Sequence, residues 1–93
     1  MKKIKKIAIV FSGTRKTDKV LSEAKEIILR ANSELVCSVN VNKIRAADKN
    51  KIAKADLILV FGGDGTMIGS VRSLYSLNIP FLGVNSGTVG FLT

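Results

Sequence analysis

The stretch Leu57-Ile58-Leu59-Val60-Phe61-Gly62-Gly63-Asp64-Gly65-Thr66 decides the fold of this chain. Its five leading apolar residues are typical of a strand that is buried on both faces, as in a parallel sheet. The glycines after the strand lead into a helical pattern, because the apolar residues that follow recur at steps of three and four. These residues are Met67, Ile68, Val71, Leu74 and Tyr75. A buried strand, a glycine turn and a helix predict an α/β protein.

The residues before this stretch repeat the same alternation. Ile7–Phe11 is a second continuous apolar run and predicts another buried strand. Thr17 and Asp18 are candidate caps for the helix that follows, and Asn32-Ser33 is its expected end. The apolar face of this helix is expected to consist of Val20, Leu21, Ala24, Ile27, Ile28 and Ala31.

The remaining segments complete a sheet. Residues 35–42 alternate in polarity, which predicts a half-buried strand near an edge, and residues 43–55 are expected to form a short helix or a loop. Asn78 can end the third helix in the left-handed conformation. Residues 81–84 predict a fourth strand, and residues 85–90 a loop. We therefore expect an open, mostly parallel sheet of about four strands with flanking helices, Rossmann- or flavodoxin-like, in one domain.

The net charge of +8 raises the question of nucleic-acid binding. Residues 1–54 hold 14 Lys or Arg against 5 Asp or Glu, whereas residues 55–93 hold one Arg against two Asp. The positive charge thus avoids the glycine-rich half, and aromatic residues that could stack on bases make up only 5% of the chain. We interpret the excess as a solvated, lysine-rich surface and expect no nucleic-acid partner.

Cysteine content and hydropathy indicate where the protein acts. Cys37 is the single cysteine, so an internal disulfide is excluded, and its place in the pattern predicts a small core residue. The sequence contains no run of about 18 apolar residues that could span a membrane. The apolar stretch after the basic start is too short for a signal peptide. These features predict a cytoplasmic protein without a membrane partner.

Seven of the eight glycines lie between Gly62 and Gly90, where the carboxyl ends of strands are expected. Ligands of open α/β sheets bind at that edge, and a helix start offers amide groups to anionic oxygens. Asp64 would repel phosphate, so we interpret it as a base or a magnesium ligand; the alternative is plain helix capping. The P-loop motif is absent, and Ile68 breaks the dinucleotide fingerprint. Without histidine, a zinc site or a Ser-His-Asp triad is not expected within the chain.

Two motifs together resemble the paired signature of NAD kinases. The first is Gly62-Gly63-Asp64-Gly65-Thr66, and the second is Gly83-x-Asn85-x-Gly87-x-x-Gly90-Phe91-Leu92-Thr93. The first is shared with diacylglycerol and sphingosine kinases, and 6-phosphofructokinases carry a related form, so the second makes the match specific. The resemblance covers essentially the whole chain, including Ile7 to Lys16. Ser86 and Val89 depart from it, since larger or basic residues are frequent there in the family.

The resemblance implies phosphoryl transfer from ATP, or from inorganic polyphosphate, to the 2′-hydroxyl of the adenosine ribose of NAD, giving NADP. It makes Asp64 the general base, and it makes Gly63, Gly65 and Thr66 contacts to NAD and phosphate. It also places Asn85 and Phe91 at NAD. The alternatives are that Asn85 only holds its loop and that Phe91 is a core residue of a last strand.

The resemblance further implies magnesium as the cofactor, although no metal ligand is assigned beyond a role for Asp64 through magnesium-bound ATP. Gly13, Thr14, Arg15 and Lys16 form either an ATP-phosphate loop or a basic exposed turn.

We further expect residues 1–93 to be a single domain that stops before the family's C-terminal β domain, to be inactive alone, and to form homo-oligomers at full length. Two alternatives remain: a fragment of a diacylglycerol-type lipid kinase, and a complete small nucleotide-binding module without catalysis.

Overall fold

The computed structural model describes residues 4–13, 15–85 and 88–92, with side chains described over 4–13, at 19 and over 21–84. Strands and helices alternate along the chain up to a final hairpin. In chain order they are β1 (Lys6–Phe11), α1 (Arg15–Arg30), β2 (Glu34–Asn40), a 3-10 turn (Val41–Lys43), α2 (Ala46–Ile52), β3 (Leu57–Phe61), α3 (Asp64–Leu74), a second 3-10 turn (Tyr75–Leu77), β4 (Phe81–Asn85) and β5 (Thr88–Leu92).

The sheet confirms the predicted α/β architecture and adds a strand to it. Its order is β2-β1-β3-β4-β5 over the described residues, and β1 to β4 are parallel. A loop was expected over residues 85–90, but Asn85 belongs to β4, and residues 88–90 belong to β5, which pairs with β4 in the antiparallel direction. The pairing of Val84 with Val89 gives the reason, since β-branched residues favour a pleated pair over an irregular loop. The chain therefore folds back on itself at this edge.

Both faces of the central strands are buried. Along β1, Ile7 and Ile9 pack with α1 in one hydrophobic cluster. Ala8 and Val10 pack in a second cluster on the opposite face, which contains α2 and α3 residues such as Ile52 and Leu74. Because successive side chains of a strand point to opposite faces, a strand covered on both sides must be apolar throughout. Each fully buried Ile or Val contributes roughly 1.5–3 kcal/mol.

Strand β2 lies at an edge as predicted, but its alternation is broken. The register against β1 shifts between Ile7 and Ala8, where the partners are Leu35 and Cys37. Val36 is therefore the extra residue of a bulge. Leu35 packs in the α1 cluster, while Val36 and Cys37 both contact the other cluster. A strict alternation over residues 35–42 was wrong for this reason.

Cys37 is a free thiol that packs, partly buried, against the core cluster containing α2 and α3, in agreement with the interpretation as a small core residue. Burial raises the pKa of the Cys37 thiol, and the negative charge of Asp48 acts in the same direction. Both effects keep the thiol in its protonated form, which is the less reactive one.

The helix boundaries agree with the prediction at the C-termini and differ at one N-terminus. Asn32 and Asn78 have positive φ angles of 59° and 56°, as expected for residues that end helices. Helix α1 begins at Arg15. Thr17 and Asp18, the expected caps, therefore lie inside the first turn of the helix. Residues 46–52 are helical, which decides between the helix and the loop predicted there.

The buried faces of α1 and α3 are rotated relative to the predicted apolar stripes. Ile27 of α1 is 66% exposed and Ile68 of α3 is 53% exposed, and Tyr75, in the 3-10 turn after α3, is 68% exposed. The buried residues of α3 are instead Thr66, Ser70 and Leu74. The Ser70 hydroxyl donates to the Thr66 carbonyl at 2.7 Å, which satisfies its polar group inside the core. Over the described residues, every helix is too short or too polar to cross a bilayer.

Candidate active site at the carboxyl edge of the sheet

The strand order creates a crevice between β1 and β3. The chain leaves β1 toward β2 on one side of the sheet and later returns to β3 on the other side. Open α/β sheets bind ligands at such a switch point, outside the carboxyl ends of the strands. The Ser12 amide donates to the Phe61 carbonyl at 3.2 Å, and the Gly62 amide donates to the Val84 carbonyl at 3.2 Å. The ends of β1, β3 and β4 are thus held side by side.

Gly62 is required by the packing at the floor of this crevice. Its φ of 153° lies in the range that L-residues with side chains rarely adopt. A Cβ added there would lie 2.8 Å from the Thr66 Cβ and 2.9 Å from the Ser12 Oγ, closer than real Cβ contacts allow. Helix α3 and the end of β1 can approach β3 this closely only because residue 62 is glycine.

Gly63 and Gly65 stand in open space. A Cβ added to either residue would meet no atom of the described residues within 4 Å. Gly63 has an extended backbone with φ −91°, and Gly65 lies in the first turn of α3, so neither conformation requires glycine. Space beside a bare backbone is what a ligand needs in order to approach amide groups closely.

Asp64 lies between these two open glycines. It is the exposed first residue of α3. The N-cap position belongs to Gly63, whose carbonyl accepts the Thr66 and Met67 amides at 3.1 and 3.2 Å. The plain capping role considered for Asp64 is therefore not observed. Its carboxylate stands in solvent at the switch point, at the positive end of the helix dipole.

The comparisons with known proteins agree with this geometry. Residues 3–93 match the family model described as "ATP-NAD kinase N-terminal domain". The chain belongs to the NAD kinase family. It is 33% identical over 93 residues to the NAD kinase of Campylobacter lari, covering all of this chain and 32% of that protein. It is 40% identical over 77 residues to the NAD kinase of Helicobacter pylori, covering 81% of this chain and 27% of that protein. The chain therefore spans about a third or less of the length of these relatives.

Thr66, a predicted ligand contact in the first family motif, is largely turned inward. It is 8% exposed, and its hydroxyl is the atom closest to the position that a Gly62 Cβ would occupy. Its amide is already bonded to the Gly63 carbonyl. The structure gives Thr66 a packing role at the base of the GGDG loop, and its contact with a ligand stays a prediction.

The second family motif lies beside the first. The parallel pairing of Phe61 with Val84 brings the end of β4 next to Gly62. Asn85 closes β4, and Phe91 lies in β5, which agrees with a place in a last strand. The side chains of Asn85 and Phe91 lie outside the described residues, so their contacts with NAD stay predictions.

The third predicted segment, residues 13–16, also lies at this edge. Gly13 lies two residues after the end of β1, and an added Cβ there would be 3.5 Å from the side-chain amide nitrogen of Asn40. Thr14 lies outside the described residues. Arg15 and Lys16 form the start of α1 and not a loop, and their side chains are not among those described. The second half of the segment is thus the first turn of a 16-residue helix.

Two features of this edge of the sheet lie outside both family motifs and were not predicted as site residues. Ser12 lies over Gly62 together with Thr66, and the pattern marked it only as the end of a strand. Lys43 and Arg45 lie just after β2. A basic pair immediately after a strand was the available signal. Among the described residues, no cluster of three or more His, Cys, Asp or Glu side chains could hold a metal ion.

Proposed function

We propose that this chain supplies the catalytic loop for phosphoryl transfer from ATP, or inorganic polyphosphate, to the 2′-hydroxyl of the adenosine ribose of NAD. The observation that carries the proposal is the exposed Asp64 between two glycines with open faces, at the switch point of the sheet. Family membership supports the choice of substrates, since the matched relatives are named NAD kinases.

The open faces of Gly63 and Gly65 suit the acceptor. A ribose and its phosphates can lie directly against the backbone, because no described side chain fills the space beside these glycines. The first amide groups of a helix have no partner within the helix, so those of α3 can donate to anionic oxygens. In the proposed complex, the acceptor hydroxyl lies next to the Asp64 carboxylate.

Asp64 acts as the general base. As the hydroxyl oxygen forms its bond to the γ-phosphorus, the bond from that phosphorus to the leaving diphosphate oxygen breaks, and the hydroxyl proton passes to the carboxylate. The exposure of Asp64 keeps it accessible to the incoming hydroxyl.

Charge on the transferring phosphoryl group must be neutralised by other groups. Magnesium supplies this neutralisation when it is bound to the donor phosphates. Asp64 alone is not a metal site, and no acidic cluster surrounds it in the described part of the chain. Gly13 and the start of α1 lie at the same edge and are proposed to face the donor phosphates.

The remaining wall of the site is proposed to come from chain beyond these residues. The relatives are about three times as long as the matched region, and one wall of a cleft cannot hold donor, acceptor and base in register. We therefore propose that residues 1–93 alone do not turn over, and that the whole protein acts as a cytoplasmic homo-oligomer on small nucleotides.

Replacing the base tests the assignment. Asp64→Asn keeps the size and polarity of the side chain but removes the proton acceptor, so kcat of the complete enzyme should fall at least about a hundredfold. Affinity for NAD should change little, because the loss concerns the transition state. Steady-state formation of NADP and calorimetric titration of NAD measure the two quantities.

Glu23→Gln on α1 is the matched control, since it also removes one exposed carboxylate, and full activity is expected. If Asp64→Asn retained more than about a tenth of the wild-type turnover, Asp64 would not be the base. Phosphorylation of diacylglycerol with no formation of NADP would instead assign the loop to a lipid kinase.

A further inference from the structure

A basic cleft opens at the carboxyl end of β2, on the same edge of the sheet as the glycine loop. Its volume is about 630 Å³, which is in the range of small-molecule sites. None of the motifs discussed above includes its lining. The lining residues are Ser38, Val39, Asn40, Lys43, Arg45 and Asp48.

The cleft borders the end of β1, and the segment after β2 packs on helix α3. Asn40 pairs with Phe11, and its amide nitrogen lies next to Gly13, so the cleft borders the turn between β1 and α1. An added Cβ on Gly69 would lie 3.1 Å from Val41 Cγ2, so the segment after β2 rests on α3. With β2, β1 and β3 in neighbouring positions, the cleft lies about two strand spacings, roughly 10 Å, from Asp64.

The polar groups of the cleft suit an anion. The lining holds two positive charges, Lys43 and Arg45, against the one negative charge of Asp48, which is paired with Arg45. One Asp48 oxygen accepts the Arg45 amide at 2.9 Å and lies 3.7 Å from the Arg45 Nε. Among the described residues, Lys43 takes part in no ion pair. The Asn40 side-chain oxygen accepts the Asn42 amide at 2.9 Å, so its amide nitrogen remains a donor toward Gly13.

We propose that this cleft binds the phosphoanhydride chain of the phosphoryl donor, at the phosphates that leave with the departing group. The inference rests on the proposed function, because Asp64 fixes where the transferring phosphoryl must lie. A triphosphate that reaches from Asp64 across the end of β1 arrives at Lys43. Lys43 and Arg45 hold the leaving phosphates by charge-assisted hydrogen bonds, with the Asn40 amide between the cleft and the turn.

Charge removal at Lys43 tests the site. In the complete enzyme, Lys43→Gln should raise the dissociation constants of ATP and of inorganic tripolyphosphate about tenfold, as expected for the loss of one charge-assisted contact. NAD affinity should stay within about twofold. Arg45→Gln should act in the same direction. Lys49→Gln is the matched control, because it removes the same charge from an exposed position of α2 that does not line the cleft.

The two probes identify the source of the phosphate. If Lys43→Gln weakens the binding of both ATP and tripolyphosphate, the cleft binds the phosphoanhydride chain itself. If it weakens the binding of ATP alone, the cleft requires the nucleotide. An effect of Lys43→Gln no larger than that of Lys49→Gln overturns the inference, as does an equal loss of NAD affinity. Because these are binding measurements, a protein that bound ATP through Lys43 but formed no NADP would refute only the proposed function.

Discussion

The glycines of the GGDG loop divide into two regions with different physical roles. Gly62 is closed in by Thr66 and Ser12 and has a backbone conformation that favours glycine. Gly63 and Gly65 have ordinary backbone conformations and open faces. Folding therefore explains the first glycine, whereas nothing in the fold explains the other two. A residue type that the fold does not require, at an edge where ligands bind, points to function.

A side chain at Gly62 should give the largest effect on stability. In Gly62→Ala, residue 62 would keep an unfavourable φ angle, and its methyl group would overlap the Thr66 side chain. Such backbone strain and overpacking cost about 1–3 kcal/mol each, so we expect a loss of about 2–5 kcal/mol in the free energy of unfolding. Urea denaturation followed by circular dichroism measures it.

Gly63→Ala provides the matched control, because it places the same methyl group on the next residue, in open space. Its cost should be about 1 kcal/mol or less, the range for a change at a helix N-cap. Equal losses in the two variants would show that the two regions of the loop do not differ, and the comparison would fail.

The sequence predicted most of the sheet because its strands are buried on both faces. Runs such as Ile7–Phe11 and Leu57–Phe61 have few alternatives to a buried strand, and both were confirmed. Asp64 could be singled out because an acid is unusual in a glycine loop of the kind that binds phosphate. The position of that loop at the switch point follows from the strand order, which local patterns do not contain.

The features that the sequence did not predict depend on tertiary packing. The bulge at Val36 arises from pairing with β1, and β5 forms only against β4. The rotation of α3, which leaves Ile68 exposed, is set by contacts such as that between Gly69 and Val41. The difference between Gly62 and the glycines at 63 and 65 also depends on tertiary structure, since the three residues are chemically identical in the sequence.

A side chain at Gly65 should affect binding while leaving the fold intact. Gly65→Val fills the open face beside Asp64, so the dissociation constant of NAD should rise about tenfold or more, as expected when amide contacts to the ligand are lost. ATP binding should also weaken. Gly65→Ala should give a smaller loss, with equal or slightly higher stability, because alanine favours a helix more than glycine does. Calorimetry and thermal unfolding measure the two effects.

Normal nucleotide binding or a loss of folding in Gly65→Val would contradict the interpretation of the open glycine faces as a ligand-binding surface. If Gly65→Val bound both nucleotides normally while it remained folded, the ligand would not approach this face. If it unfolded as readily as Gly62→Ala, the open space would not exist in solution.

Thr66 should show the smallest effect, because it belongs to the closed region although it stands in the binding motif. Its hydroxyl faces Gly62, its amide is bonded to Gly63, and it is 8% exposed. Thr66→Val keeps the shape of the side chain and removes the hydroxyl. Steady-state kinetics should give KM values for NAD and ATP within about threefold of wild type, since a lost ligand hydrogen bond would cost about 1 kcal/mol or more. Thr66→Ser is the counterpart that keeps the hydroxyl and removes the methyl group, so it should lower stability more than it changes KM. A large rise in KM for the valine variant alone would move Thr66 into the open, ligand-binding region, in agreement with the family resemblance and against the packing role observed here.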